Sequence, residues 1–139
     1  MNKTGEYRFT IVVPVYNEVD NIYALEKALS EFLPKSKYKA CALFVNDGSS
    51  DGSLERIQEV CARNNDFHYI SFVKNAGLSA AIKAGFDYTF SDYVGYMDAD
   101  LQTTPEDFNL LLEGIESHSM VIGIRANRKD TFFKRAQSK

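Results

Sequence analysis

Arg8–Val15 reads RFTIVVPV, and after a short polar gap Val19–Leu33 reads VDNIYALEKALSEFL. The first segment is an unbroken apolar run rich in β-branched residues, with no alternating polar face. Such a run suits a strand covered on both sides, as in a parallel sheet. The second segment repeats its apolar residues at Ile22, Leu25, Leu29 and Phe32, the spacing of one helical face. Pro34 ends it. The same pairing of segments recurs down the chain. Ala40–Val45, Phe67–Val73, Tyr93–Met97 and Met120–Ile124 are further apolar runs. Between them, Asp51–Asn64 carries Leu54, Ile57 and Cys61 on one face, and Leu78–Tyr88 carries Leu78, Ala81, Ile82 and Gly85 on one stripe. After the fourth run, Thr104 is placed to cap a helix, Pro105 suits its first position, and Asp107 sits three residues after the cap. Phe108, Leu111, Leu112 and Ile115 would form its buried face. Strands separated by single helices pair in parallel. The expected fold is therefore α/β: an open, mostly parallel, Rossmann-like sheet with helices on both faces.

The bulk properties agree with one such domain. At 139 residues, 45% of them hydrophobic, the chain is long enough to bury a core without disulfides. Cys41 and Cys61 lack a C-x-x-C spacing and read as small buried hydrophobes. His68 and His118 have no companion at zinc-ligand spacing. Met1–Glu6 is polar, Phe9–Val15 is too short for a signal core, and no stretch approaches the ~18 apolar residues of a membrane span. A soluble, cytoplasmic chain with no nucleic-acid partner is expected. The net charge of −3 hides an asymmetry. Residues 1–124 carry 10 basic and 18 acidic groups, whereas residues 125–139 carry six basic and one acidic. That basic end reads either as a solvated tail or as a segment near an anionic partner.

In open parallel sheets, ligands bind beyond the carboxyl ends of the strands. At those positions stand Pro14-Val15-Tyr16-Asn17-Glu18, Asn46-Asp47-Gly48-Ser49-Ser50-Asp51, Lys74-Asn75-Ala76-Gly77, Asp98-Ala99-Asp100-Leu101-Gln102 and Arg125. Extended alternation would point Asp98, Asp100 and Gln102 to one side and Ala99 to the other. Magnesium and manganese take hard oxygen ligands, often one or two carboxylates plus substrate phosphates. The same acids would also serve a loop that caps the helix at Thr104. Asp47 could accept the N–H of a uracil or guanine edge, or could be an Asp-Gly turn former. Tyr16 could stack on a base or simply pack. Gly48 and Gly77 are expected to relieve backbone crowding. Walker A and G-x-G-x-x-G patterns are absent, which argues against a P-loop NTPase and an NAD enzyme. A phosphohydrolase using Asp98 as nucleophile would place the D-x-D loop after the first strand, not the fourth.

Five pieces, FTIVVPVYNE, FVNDGSSDGS, KNAGLSAAIKAGF, YMDADLQTTPED and VIGIRANRKDTFFKR, resemble in order and nearly throughout the chain the family-2 glycosyltransferases, which have the GT-A fold. DADLQ followed by a Pro-Glu helix start, then GIR-x-x-R-x-D-x-x-x-K-R, is most similar to the polyprenyl-phosphate sugar transferases. The resemblance implies an inverting transfer from a nucleoside-diphosphate sugar, with a polyprenyl phosphate as acceptor. A saccharide hydroxyl acceptor, or donor binding without turnover, stays open. By resemblance, Pro14, Tyr16 and Glu18 line the nucleoside pocket, with Lys74 to Gly77 bordering it, and Asp47 pairs with the base. Asp98 and Ala99 would contact the ribose and diphosphate. Asp100 and Gln102 would bind Mg²⁺ or Mn²⁺, Arg125 would reach the diphosphate or sugar, and Asp98 with Asp100 would form the catalytic pair. The family often has paired aspartates where this chain has Asn46-Asp47, which puts an acidic role at the first position in doubt. Members of this branch also continue past Lys139. Residues 1–124 are thus expected to be the nucleotide-sugar-binding domain, and residues 125–139 a basic start to an acceptor-side region. That region would contact the cytoplasmic face of a membrane. Homo-oligomer formation stays open.

Overall fold

The computed structural model describes residues 6–115. Contacts divide the chain into two compact units, Met1–Pro105 and Glu106–Lys139. The first unit holds four parallel strands, β1 (Phe9–Val15), β2 (Ala40–Asn46), β3 (Phe67–Ser71) and β4 (Tyr93–Tyr96), in the order β3-β2-β1-β4. Its helices are α1 (Ile22–Phe32), α2 (Ser53–Ala62) and α3 (Leu78–Tyr88). The expected open, parallel, Rossmann-like α/β sheet is what forms. The fifth expected strand, Met120–Ile124, lies outside the described residues.

All seven residues of β1 and all seven of β2 are buried, which is why both read as unbroken apolar runs. Register pairs Val12 with Leu43 and Pro14 with Val45, so these four share a face. Helix α3 covers that face through Ala81, in a cluster with Val12, Leu43 and Val45. Helix α2 lies on the other, where the Gln58 amide donates to Tyr69 Oη at 3.1 Å. Thr10, fully buried, is accommodated by hydroxyl contacts to Thr89 at 2.9 Å and Ser91 at 2.6 Å. Burial pushes the Cys41 and Cys61 thiols up to about 12, as suits cysteines acting as apolar filler.

Several local details differ from the sequence reading. The first helical stretch opens with a 3₁₀ turn, Val19–Asn21, and closes with another, Leu33–Lys35, that includes Pro34. Proline is tolerated there because the opening N–H groups of a helical turn need no internal acceptor. The buried stripe of α2 is Ser53, Ile57 and Val60, whereas Leu54 and Cys61 are only partly covered. In α3, Ala81 and Gly85 are buried but Leu78 is 56% exposed. Helix α4 (Asp107–Gly114), in the second unit, starts after Glu106 and has no side-chain cap, so Thr104 is not its N-cap. A turn at Pro105–Glu106 intervenes, and the N–H of Asn109 bonds the Glu106 carbonyl at 3.2 Å. Phe108 and Leu112 are its buried residues.

Pro14 decides where the sheet opens. The N–H of Tyr93 bonds the Arg8 carbonyl, and that of Met97 bonds the Val12 carbonyl at 3.0 Å. In a parallel ladder alternate residues serve alternate neighbours, so Arg8, Thr10, Val12 and Pro14 face β4. Proline has no N–H to give, and β4 ends at Tyr96 opposite Val12. On its other side β1 runs on, with Val15 opposite Asn46. The strand order also reverses between β1 and β4, and at such a point open α/β sheets form a crevice.

Close contact between α3 and β1 rests on Gly85. A Cβ there would lie 2.5 Å from Val12 Cγ1, a branched side chain with no exposed surface. Overpacking costs typically ~1–3 kcal/mol, against ~1 kcal/mol gained in helix propensity. Gly85→Ala should therefore lower the urea midpoint of unfolding. An unchanged or raised midpoint would show that α3 can step back from the sheet.

Candidate functional site

The polar segments named from the sequence collect at the carboxyl edge of the sheet. Val15, Asn46 and Ser71 lie in register there. The ladder reaches one rung further, with the N–H of Asp47 on the Val15 carbonyl and that of Phe72 on the Asn46 carbonyl, both at 2.8 Å. The loops after β1, β2 and β3 therefore leave from one fixed row.

The loop after β1 is laced to the loop after β2. The Asn17 N–H donates to Ser49 Oγ at 2.9 Å, and Asn17 Oδ1 accepts the Ser50 N–H at 2.8 Å. The Glu18 N–H donates to Ser53 Oγ at 3.0 Å, and the Val19 N–H to Asp51 Oδ2 at 3.2 Å. The Ser53 hydroxyl donates to Asp51 Oδ1 at 2.6 Å. Asn17 sits at φ +53°, a left-handed conformation that asparagine tolerates better than most residues. This lacing leaves Tyr16 half-exposed at 49%, able to offer a ring face, while the Glu18 carboxylate accepts from Asn21 at 2.8 Å. Pro14 is buried at the end of β1, where the sheet opens. Asn46, also buried, donates from its amide to Ser71 Oγ at 3.0 Å.

The loop after β3 is held by Asp47, whose residue is only 3% exposed. Its carboxylate accepts the Ala76 N–H at 2.7 Å, the Asn75 side-chain amide at 2.9 Å and the Gly77 N–H at 3.0 Å. Beside it, Gly48 at φ +69° lets the two loops touch. A Cβ there would lie 2.3 Å from the Lys74 carbonyl carbon and the Asn75 nitrogen. Gly77 differs from the expected crowding role. A Cβ on it would meet nothing within 4 Å, and glycine is needed there for a φ of +105°. Lys74 is exposed at the head of this loop.

After β4 the chain does not continue as a strand. Asp98 and Asp100 are exposed, Ala99 is 5% exposed and inward, and Gln102 is exposed. The segment forms a turn rather than the expected extended alternation. Asp100 Oδ1 accepts the Gln102 N–H at 3.1 Å, and Leu101 sits at φ +64°. Among the described residues no group of three or more His, Cys, Asp or Glu side chains converges. The donors on this loop are hard oxygens with at most two carboxylates, a set that fits Mg²⁺ or Mn²⁺ only when phosphates complete the shell. Arg125 lies outside the described residues. The sequence reading missed the lacing residues Asn17, Ser49, Ser50, Asp51, Ser53 and Asn75. The density of Asn, Asp and Ser beside two strand ends was the available signal, because these side chains bond nearby backbone in loops.

The sequence profile of "Glycosyl transferase family 2" matches residues 10–139. The chain belongs to that family. The "Uncharacterized glycosyltransferase YkcC" of Bacillus subtilis is 40% identical over 133 residues, covering 92% of this chain and 40% of that protein. An undecaprenyl-phosphate 4-deoxy-4-formamido-L-arabinose transferase of Aeromonas hydrophila is 33% identical over 141 residues, covering 100% of this chain and 43% of that protein. The chain thus spans about two fifths of the length of these relatives. Among solved structures, a mannosyltransferase from Pyrobaculum calidifontis in complex with GDP-Man and Mn²⁺ superposes with a TM-score of 0.67 at 20% identity. That match covers 78% of this chain and 32% of the other. TarS of S. aureus gives a TM-score of 0.61 at 19% identity, over 80% of this chain and 20% of the other. At these identities the structures establish the shared fold.

The lacing carries a pH signature. Burial opposes ionisation of Asp51, but hydrogen bonds from the Ser53 hydroxyl and from the Ser53 and Val19 N–H groups outweigh it and hold the carboxyl below its ordinary value. A depressed folded value stabilises above the unfolded value of about 3.9 and is lost as pH falls through the folded one. The stability gap between the wild-type chain and Asp51→Asn should be widest near neutrality and narrow at pH 3. Urea titrations at the two pH values test this. A gap independent of pH would show that the carboxylate charge is not what these donors recognise.

Proposed function

We propose that this chain is the donor-binding part of an inverting glycosyltransferase. It would move a sugar from a nucleoside-diphosphate sugar to a polyprenyl phosphate at the cytoplasmic face of a membrane. The observation that carries the reading is the exposed pair Asp98 and Asp100 after β4, at the same carboxyl edge of the sheet where Tyr16 follows β1 with its ring half-exposed. In this reading the base lies against Tyr16, with Glu18 at the nucleoside and Lys74 to Gly77 at its border. Asp98 and Ala99 meet the ribose and diphosphate, and Arg125 the diphosphate or sugar.

Residues 1–124 carry 10 basic and 18 acidic groups, so a diphosphate approaching Asp98 and Asp100 meets repulsion. Asp100 and Gln102 would hold a divalent ion there, and such an ion would offset that repulsion and supply positive charge for the departing nucleoside diphosphate. The acceptor phosphate is already anionic and attacks the anomeric carbon without prior deprotonation, so no general base is required of this chain. The new bond joins phosphate oxygen to the sugar, and the nucleoside diphosphate leaves with the bonding pair. The name of the Aeromonas relative, an undecaprenyl-phosphate transferase, supports this acceptor class. The mannosyltransferase complex, with GDP-Man and Mn²⁺, supports the donor and metal classes. The six basic residues among 125–139 would suit an anionic acceptor or membrane surface. Among the described residues no helix is long and apolar enough to cross a membrane.

Calorimetric titration of UDP and GDP into the chain, with and without Mn²⁺, tests the reading. The metal should tighten binding, and Asp100→Asn should remove most of that gain. Equal affinity in chelator and in Mn²⁺ would overturn the metal assignment. Binding without turnover in a parallel transfer assay would leave this chain a donor module.

A further inference from the structure

We propose that Asn17 is a positioning residue: it fixes the direction of the Tyr16 ring and so readies the nucleoside side of the donor site before a ligand arrives. The inference rests on the donor-site reading above and adds a residue that works through its neighbour. Tyr16 stands between two pinned residues. On one side Val15 closes β1 opposite Asn46, and its carbonyl accepts the Asp47 N–H at 2.8 Å. On the other side Asn17 is held twice. Its N–H donates to Ser49 Oγ at 2.9 Å, and its Oδ1 accepts the Ser50 N–H at 2.8 Å. With the backbone fixed at both neighbours, the Cα–Cβ bond of Tyr16 has one direction. The ring then turns only about its two side-chain torsions.

The residue type suits this task. At φ +53° Asn17 breaks the extended line of β1 and leads the chain into the 3₁₀ turn at Val19–Asn21. Glycine would adopt that φ but bring no acceptor for Ser50, and alanine would bring neither. The turn beyond is clamped as well. The Val19 N–H donates to Asp51 Oδ2 at 3.2 Å, and the Val19 carbonyl accepts from the Arg56 guanidinium at 2.7 Å. Slack at position 16 therefore cannot be taken up downstream. The Tyr16 side chain takes no part in these bonds, and the residue stays 49% exposed. A ring that has to be ordered on binding costs affinity, whereas one already aimed does not.

Asn17 is itself exposed, so direct contact with the nucleotide is the competing role, and a double-mutant cycle with Tyr16 separates the two. A residue that acts through the ring matters only while the ring is present. A residue that touches the ligand, or that only supports the fold, matters with or without it. Affinities for UDP and GDP in Mn²⁺ are measured by calorimetry on the 139-residue chain. The variants are Tyr16→Ala, Asn17→Ala and Ser49→Ala, with each of the last two also combined with Tyr16→Ala, and urea midpoints are recorded for all. Tyr16→Ala should lose about tenfold in affinity, as expected for a ring stacked on a base. Asn17→Ala should lose about fivefold and Ser49→Ala about threefold. In the Tyr16→Ala background both should cost less than about twofold, while their urea midpoints fall as far as they do with the ring present. Ser49→Ala removes the same contact from the β2 side, so the test stands even if Asn17→Ala fails to fold. Larger losses in the ringless background, or none with the ring present, would overturn the proposal and leave the donor site standing. Wild-type affinity in Tyr16→Ala would take the ring away from the base and overturn the proposal as well. Failure of the wild-type chain to bind either nucleotide would bring down the donor-site reading and this inference with it.

Discussion

Seven residues of β1 and seven of β2 lie side by side with no water to satisfy their backbone. Unpaired buried amides are costly, so the two strands have to complete a parallel ladder, and nearly everything else in the first unit follows from that. The ladder fixes which residues share a face, and so sets α3 over Val12 and α2 over Tyr69. It also fixes Val15, Asn46 and Ser71 in one row, from which three loops leave together. The site is thus a by-product of pairing: polar segments distant in sequence share an edge because their strands share a register.

Two kinds of holding then shape that edge. Side chains from one loop bond the backbone of the next, as Ser49, Asp51 and Ser53 do for Asn17, Glu18 and Val19. Backbone strain is held at its two sides. Among the described residues, Asn17 and Leu101 are the non-glycine residues at positive φ, one after β1 and one after β4. For leucine that conformation costs about 1–2 kcal/mol. It turns the chain between Asp100 and Gln102, whose polar ends both reach solvent. Strained backbone of this kind clusters where a site needs a set geometry.

The sequence made the strands and α3 legible because apolar runs and helical spacing are local properties. The ends of β1, β2 and β4 fall within a residue of expectation, β3 stops at Ser71, and α3 matches at both ends. Finer features depended on neighbours that periodicity does not see. Leu78 fits the α3 stripe yet stays 56% exposed at the helix start, while Val60, off the expected α2 stripe, is buried. The cap at Thr104 failed because a turn at Pro105–Glu106 delays α4. The edge that gathers the candidate residues was readable from strand order alone. The inward commitment of Asp47 was not, since its partners lie 28 to 30 residues away and are mostly backbone groups that no side-chain pattern marks. The D-A-D-L-Q segment reads as extended from its alternation, whereas Leu101 at φ +64° makes it a turn, a backbone state that no residue pattern marks.

Pro14 gives the crevice an unusual kind of permanence. A gap made by side-chain packing shrinks or widens as rotamers change and as substitutions accumulate around it. This one is written into covalent chemistry: a ring occupies the nitrogen that would have donated the next rung towards β4. No fluctuation of temperature or solvent restores that proton, so the rung Pro14 would have donated stays unmade. The loop of Asp98 and Asp100 leaves the sheet just past that missing rung in every copy of the chain.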